Sequence, residues 1–208
     1  MSSVPIMVAA ADTGGRQADA RRLLLLATFL ILAAGTISAT GNLETEPQVT
    51  VREQNGVYSV TARFQVMQPP AIALAVLTDY DNIPRFMPQI KTSVVLERDG
   101  EHVIVQQEAV SRLIAFSKRV HLVLDIAEAP DALYFRDRCG RSFIRYEGAW
   151  RTSERQGRTE IVYELTTQPA FDVPEFLVKR LLKRDAAATI EQLRREMAAR
   201  SSHGPTAP

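Results

Sequence analysis

The chain has 208 residues, of which 46% are hydrophobic and 24% are charged, and its 25 basic residues nearly balance its 24 acidic ones. This length allows a single domain with a substantial core. Nucleic acids attract strongly basic surfaces, so the neutral balance predicts no nucleic-acid partner.

The N-terminal segment is basic and then apolar. Arg21 and Arg22 precede the run "LLLLATFLILAAGTISA", residues 23–39, which ends in small residues. This layout is typical of a secretory signal peptide, and we predict cleavage near Ala39. An uncleaved anchor is the alternative, because the run is only slightly shorter than the roughly 20 residues that span a bilayer. Either interpretation predicts an exported protein, periplasmic or held at the inner membrane by residues 1–39.

The first predicted elements are a strand and two short helices. Residues 40–56 form a polar lead-in, in which "VTVRE" could add an edge strand. Residues 57–66 alternate apolar and polar side chains with the period of a half-buried strand. Pro70 then suits the first turn of a short helix. In the next stretch, "DYDNIPRFMPQI", acidic or amide side chains are expected to cap a second short helix.

The rest of the chain predicts a meander of strands and one long helix. Short intervals such as "RDG" and "RQG" suit tight turns between antiparallel neighbours. From Pro174 to about Ala199, apolar residues recur at spacings of three and four, as on an amphipathic helix, and residues 200–208 read as a disordered tail. The six further strands are predicted at residues 90–98, 102–111, 117–128, 132–139, 144–154 and 158–168.

This order of elements predicts an internal cavity. A strongly curved antiparallel sheet of about seven strands cannot close everywhere against one helix that is about 10 Å across. The gap between them becomes a pocket lined by the inner face of the sheet. We therefore predict an α+β domain over residues 57–199.

Three stretches carry a resemblance to a known family: "VLTDYDNIPRFMPQI", "YEGAWR" and "TEIVYELTTQPAFDVPEFLVKRLL". In their order they resemble the START-like helix-grip superfamily, also called SRPBCC, in particular its polyketide cyclase/dehydrase and coenzyme Q-binding START branch. The resemblance covers about residues 55–198. It implies an apolar cavity that binds lipids, quinones, polyketides or other hydrophobic molecules.

Metal and hydrolytic chemistry are not favoured. A calcium loop that began at Asp79 would need glycine at its sixth position and glutamate at its twelfth, but Pro84 and Ile90 stand there. The sequence has no Gly-x-Ser-x-Gly elbow, no His-Glu-x-x-His pair and no phosphate loop. It therefore predicts no cofactor, no metal and no catalytic residue.

Two sets of residues are candidates for the ligand site. Leu113, Phe116, Phe171 and Phe176 form an apolar gate in the hypothesis that the entrance touches a membrane, although residues 113–116 could simply extend a strand. For each pocket candidate the alternative is ordinary core packing. The pocket candidates are Phe64, Tyr80, Phe86, Val105, Leu122, Leu124, Trp150, Tyr163, Leu181, Leu182 and Asp185.

Three functions remain open at this stage. The preferred one is binding or transport of a hydrophobic small molecule, which needs no ionisable group. The second is a cyclase or dehydratase, for which Tyr163 or Asp185 could act on a carbonyl group. The third is an interaction module with a vestigial pocket.

Overall fold

The computed structural model describes residues 46–112, 117–171 and 173–202. They form one antiparallel sheet of eight strands with a long C-terminal helix, which confirms the predicted α+β helix-grip fold. The strands are β1 (Gln48–Gln54), β2 (Val57–Val66), β3 (Ile90–Asp99), β4 (His102–Arg112), β5 (Ser117–Ala129), β6 (Ala132–Asp137), β7 (Phe143–Arg155) and β8 (Arg158–Pro169).

The sheet order is β1-β2-β8-β7-β6-β5-β4-β3. Strands β3 to β8 form the predicted meander, and β2, early in the chain, pairs with the last strand β8. The strand count is one higher than predicted, because residues 48–54 of the expected lead-in pair along β2 in full register. Their alternating Val49 and Val51 pack against the core, which provides the burial that holds this edge strand.

In the described part of the chain, three α-helices complete the domain: α1 (Pro70–Leu77), the single turn α2 (Ile83–Phe86) and α3 (Glu175–Ser202). Helix α3 lies against β1, β2 and α1. It starts one residue later than predicted and continues through Ser202, inside the segment expected to be a disordered tail. The predicted signal segment and residues 203–208 lie outside the described residues.

The core lies between α3 and the inner face of the sheet. Along β2 and β8 every second residue is buried, as the alternation predicts. Opposite them, Ile190, Leu193 and Met197 of α3 are at most 1% exposed. Burial of side chains of this size contributes about 1.5 to 3 kcal/mol each, so this seam supplies much of the stability of the domain.

The capping prediction for residues 79–82 is wrong. Asp79 stands at the N-cap position of a 3-10 turn, but its side chain makes no capping hydrogen bond. Its carboxylate instead accepts hydrogen bonds from Arg200 Nη2 at 2.6 Å and from Asn82 Nδ2 at 2.8 Å. Asp81 Oδ1 accepts from the backbone N–H of Val95 at 2.9 Å. These acids tie the turn to the end of α3 and to β3.

One glycine is required by a close approach of side chain and backbone. A Cβ atom at Gly148 would lie 2.1 Å from the carbonyl oxygen of Glu164 and 2.7 Å from Cζ of Phe135. We predict that Gly148→Ala lowers the free energy of unfolding by at least about 3 kcal/mol, because backbone and a packed ring must both move. Chemical denaturation measures this change.

Gly157→Ala is the matched control for that measurement. Its φ of +71° strains an alanine, yet nothing lies within 4 Å of the added Cβ. A loss of about 1 to 2 kcal/mol is expected from the strain alone. Equal losses in the two variants would contradict the packing explanation for Gly148.

Candidate functional site

A cavity of about 660 Å³ lies between the inner face of the sheet and α3. Its wall includes residues from the end of α1, from α2, from β4 to β8 and from α3. Inward alternation on the strands supplies Leu122, Leu124 and Ile126, whose side chains are buried. The cavity volume is within the range of small-molecule sites.

Five aromatic side chains from β6, β7 and β8 build one wall of this cavity. Tyr163 stacks on Trp150, with ring centroids 4.1 Å apart, and on Phe135, at 6.4 Å. Tyr146 contacts Phe135 at 5.9 Å and Phe143 at 4.9 Å. All five line the cavity. Offset and tilted rings at these distances stabilise one another and offer a flat apolar surface to a ligand.

The wall also carries two tyrosine hydroxyl groups. Burial raises the pKa of Tyr146 from 10.0 to about 12 and raises the pKa of Tyr163 well above 10.0. Each hydroxyl also acts on the pKa of the other through a hydrogen bond between them. Both groups are therefore neutral at physiological pH and remain able to donate a proton in a hydrogen bond.

Two other polar side chains of the wall already have hydrogen-bond partners. Gln107 is buried, and its Nε2 donates to Ser93 Oγ at 3.1 Å. Tyr80 donates its hydroxyl hydrogen to Glu128 Oε1 at 2.8 Å. Burial and this hydrogen bond raise the pKa of Tyr80, so Tyr80 serves the structure at the closed end of the cavity.

Three charged side chains, Lys118, Arg184 and Asp185, lie with Ser111 and Phe171 at one end, which we call the mouth and define by these five residues. A further charged residue of the lining, Lys91, is exposed. Ser111 Oγ donates to Asp185 Oδ2 at 3.2 Å, and Arg184 Nη2 donates to Asp185 Oδ1 at 2.8 Å. Lys118 Nζ lies over the Phe171 ring, 4.5 Å from its centroid. The mouth is thus polar and partly open, with an aromatic ring at its edge.

The structure brings most of the sequence-based candidates together at the cavity. Phe64 and Val105 instead pack in the core, 3% and 0% exposed, and do not line it. Phe176 is 69% exposed and also lies apart from it. Leu113 and Phe116 lie outside the described residues. The candidates that line the cavity are Tyr80, Phe86, Leu122, Leu124, Trp150, Phe171, Tyr163, Leu181, Leu182 and Asp185.

Sequence reasoning missed three members of the aromatic wall. Tyr146 shares a face with Gly148 and Trp150, so its position in the alternation points inward, but it is not among the pocket candidates. Phe135 lies opposite Gly148 in the β6–β7 register, a pairing that no local pattern reveals. Phe143 comes before a register shift between β7 and β8, which breaks the alternation that could have found it.

Within residues 46–112, 117–171 and 173–202, no three His, Cys, Asp or Glu side chains are grouped as metal ligands. In the same part of the chain, no helix has both the length and the apolar composition needed to cross a bilayer.

A comparison with known families shows which family the chain belongs to. Residues 66–194 match the family model described as "Polyketide cyclase / dehydrase and lipid transport". The chain belongs to this family. The resemblance stated from the sequence is thereby confirmed. No curated protein matches the chain in a sequence search.

Solved structures with the same fold include carriers and enzymes. A STAR-related lipid transfer protein from Xanthomonas axonopodis is 16% identical, with 74% of this chain and 94% of that chain covered and a TM-score of 0.59. The Zhui aromatase/cyclase from a Streptomyces species is 14% identical, with 70% and 96% covered and a TM-score of 0.60. Human STARD10 is 11% identical, with 76% and 75% covered and a TM-score of 0.56. At these identities the likeness shows the fold alone.

The raised pKa of Tyr146 predicts a loss of stability in alkali. Between pH 10 and about 12 the unfolded chain releases this proton while the folded chain retains it. The folded state then binds more protons, so the free energy of unfolding falls as pH rises through this window, by up to about 2 kcal/mol for this group. Denaturant titrations at a series of pH values measure the slope.

Tyr146→Phe should flatten part of that slope, because the variant has no proton to release at this position. Tyr134→Phe, which removes a hydroxyl on a side chain 45% exposed, should leave the slope unchanged. An identical slope in the native protein and in Tyr146→Phe would contradict the assignment.

Proposed function

We propose that this protein binds and transports a hydrophobic small molecule, of lipid, quinone or polyketide type, in the cavity between the sheet and α3. The observation that carries the proposal is the aromatic wall inside a cavity of about 660 Å³. Apolar side chains such as Leu122 and Leu182 complete the lining. Family membership supports this class of ligand.

Burial alone supplies enough free energy for such binding. About 400 Å² of apolar ligand surface, transferred at roughly 25 cal/mol/Å², provides about 10 kcal/mol. Loss of translational and rotational freedom removes part of this amount. Binding in the micromolar range corresponds to about 8 kcal/mol and is within reach without any charged contact.

Filling the cavity should abolish ligand binding. Leu122 is 5% exposed and lines the cavity, so Leu122→Trp should lower the affinity for phenylnaphthylamine, an apolar fluorescent probe, by at least about tenfold. Leu96→Trp, at a side chain 55% exposed on β3, is the matched control and should bind as the native protein does. Fluorescence titration measures both. Unchanged affinity in Leu122→Trp would contradict binding in this cavity.

The endogenous ligand can be sought directly. The protein should be purified from the compartment in which it resides and examined by native mass spectrometry, followed by extraction of bound molecules. Absence of a hydrophobic species, together with no binding of quinones or phospholipids, would overturn the proposed function.

We further propose that the mouth contacts a membrane transiently while ligand enters. Phe171 at the mouth supports this, because its ring lines the cavity under the cation of Lys118. An aromatic ring beside a basic side chain suits a membrane interface.

Phe171→Ser should slow the uptake of phenylnaphthylamine from phosphatidylcholine vesicles by about fivefold, through loss of apolar contact. Ile144→Ser is the control, because Ile144 is 69% exposed but does not line the cavity. Stopped-flow fluorescence measures the rates. Equal rates in the two variants and the native protein would refute the role of Phe171.

We also propose that the protein is exported, on the strength of the basic and apolar segment at residues 16–39. N-terminal sequencing of the protein from membrane and periplasmic fractions tests this and distinguishes cleavage near Ala39 from anchoring. A full-length chain found only in the cytoplasm would refute export.

A cyclase or dehydratase that uses the same cavity is the second candidate. The observation that favours it is that Tyr146 and Asp185 both line the cavity and that burial raises the pKa of the Tyr146 phenol, which is therefore neutral at physiological pH. A neutral phenol near a substrate carbonyl can act as a general acid. Turnover of a poly-β-ketone substrate that is lost in Tyr146→Phe would establish the enzyme, whereas tight binding without turnover favours the carrier.

A further inference from the structure

The tyrosines that line the cavity differ in what their hydroxyl groups do. The Tyr80 hydroxyl is occupied by Glu128. The hydroxyls of Tyr146 and Tyr163 influence one another, and no other described residue forms a hydrogen bond with either of them. Two hydrogen-bonding groups therefore lie in a cavity wall that is otherwise mainly apolar.

The fold brings these two groups together through Gly148. Along β7, Tyr146, Gly148 and Trp150 share the inner face, and Trp150 lies directly opposite Tyr163 of β8. Because Gly148 has no side chain, no side chain of β7 stands between Tyr146 and Trp150 on this face. The Phe135 ring occupies the remaining space over this glycine and contacts both tyrosine rings.

The surroundings of the two hydroxyls leave hydrogen-bonding capacity unused. Thr167, directly opposite Tyr146 in the β7–β8 register, is 1% exposed, and its Oγ1 is enclosed without a partner. Tyr146 and Tyr163 both line the cavity beside this threonine. Buried polar groups without partners destabilise a protein, and a ligand atom with the right chemistry relieves that cost.

We infer that Tyr146 and Tyr163 together bind a carbonyl oxygen carried by a planar ring system. Each hydroxyl has one hydrogen, and without a ligand one hydroxyl donates to the other. A carbonyl oxygen has two lone pairs, so it can replace that bond and accept from both hydroxyls at once. The rings of Trp150 and Phe135 stack with Tyr163 and present flat surfaces to such a ligand. A saturated acyl chain has no acceptor to offer to either hydroxyl.

This inference rests on the proposed binding function and narrows its ligand class to ring ketones and related carbonyl compounds. The sealed end of the cavity would hold the apolar rings, and the tyrosine pair would orient the carbonyl group. The charged mouth at Lys118 and Asp185 takes no part in this recognition.

A matched pair of ligands separates carbonyl recognition from general apolar binding. Acetylnaphthalene and ethylnaphthalene share the naphthalene ring and differ in one carbonyl oxygen. In the double variant Tyr146→Phe, Tyr163→Phe, the affinity for acetylnaphthalene should fall about tenfold, as expected for the loss of two hydrogen bonds. The affinity for ethylnaphthalene should stay within about twofold of the native value. Calorimetry gives the affinities, and quenching of Trp150, the single tryptophan of the chain, locates the ligand at this wall.

Tyr134→Phe is the control variant. It also removes a tyrosine hydroxyl, but from a side chain that is 45% exposed and does not line the cavity. It should leave both affinities unchanged. The two single variants, Tyr146→Phe and Tyr163→Phe, should each give part of the selective loss.

The outcomes distinguish failure of this inference from failure of the proposed function. If the double variant binds acetylnaphthalene as tightly as the native protein, or loses both ligands equally, carbonyl recognition by these tyrosines is refuted while apolar binding stands. If the native protein binds neither naphthalene, nor phenylnaphthylamine, the proposed function fails as well.

Discussion

The pairing of β2 with β8 is the interaction from which the architecture follows. It joins a strand near the start of the domain to the last strand, from Tyr58↔Thr167 to Val66↔Thr159. Strands β3 to β8 return along a meander, so this pairing bends the sheet around α3. One helix is too narrow to fill a sheet of eight strands, because side chains extend its diameter to only about 10–12 Å. The cavity is therefore a geometric consequence of the fold.

The two short helices determine which end of that cavity is closed. They lie in the connection between β2 and β3, and Tyr80, Ile83 and Met87 from this stretch are buried. Arg200, at the end of α3, donates to Asp79 and to the carbonyl oxygen of Ala75. The C-terminal turn of α3 is thus fastened to the helices that cover this end. The opposite end keeps the polar mouth.

Charged and neutral polar groups occupy different parts of the cavity. Charged groups lie at the mouth or, like Lys91, at an exposed position, where water screens them, and the interior polar atoms are neutral hydroxyl and amide groups. Burial favours this arrangement, since an ionised group in an apolar interior is far more costly than a neutral one. It also explains how one family accommodates lipid transport and cyclase chemistry. The same cavity wall can hold a ligand passively or place a weak acid beside a carbonyl group of the ligand. The weak acid makes the protein an enzyme only if its interaction is stronger in the transition state than in the bound substrate.

Local patterns were sufficient for the elements, and the predicted strands lie within one residue of their observed bounds, except at the end of β6, which comes two residues earlier than predicted. Alternation also indicated which side chains point inward. It could not say how far along the inner face the core ends and the cavity begins, and for this reason Phe64 and Val105 were assigned to the pocket although both are core residues. Likewise, Asp79 is a residue type that often caps helices, but its carboxylate accepts a hydrogen bond from Arg200, which is distant in the sequence.

The aromatic wall shows most directly what the sequence alone could not predict. That Tyr146, Trp150 and Tyr163 face inward follows from period-two alternation, which is a property of each strand alone. That their rings meet follows from the register of β6, β7 and β8 and from the missing side chain at Gly148. Register joins residues far apart in the chain, and side-chain volume acts only once those strands are packed. Local periodicity was thus sufficient to predict the class of fold, whereas the set of residues that forms the site depends on contacts that exist only in the folded chain.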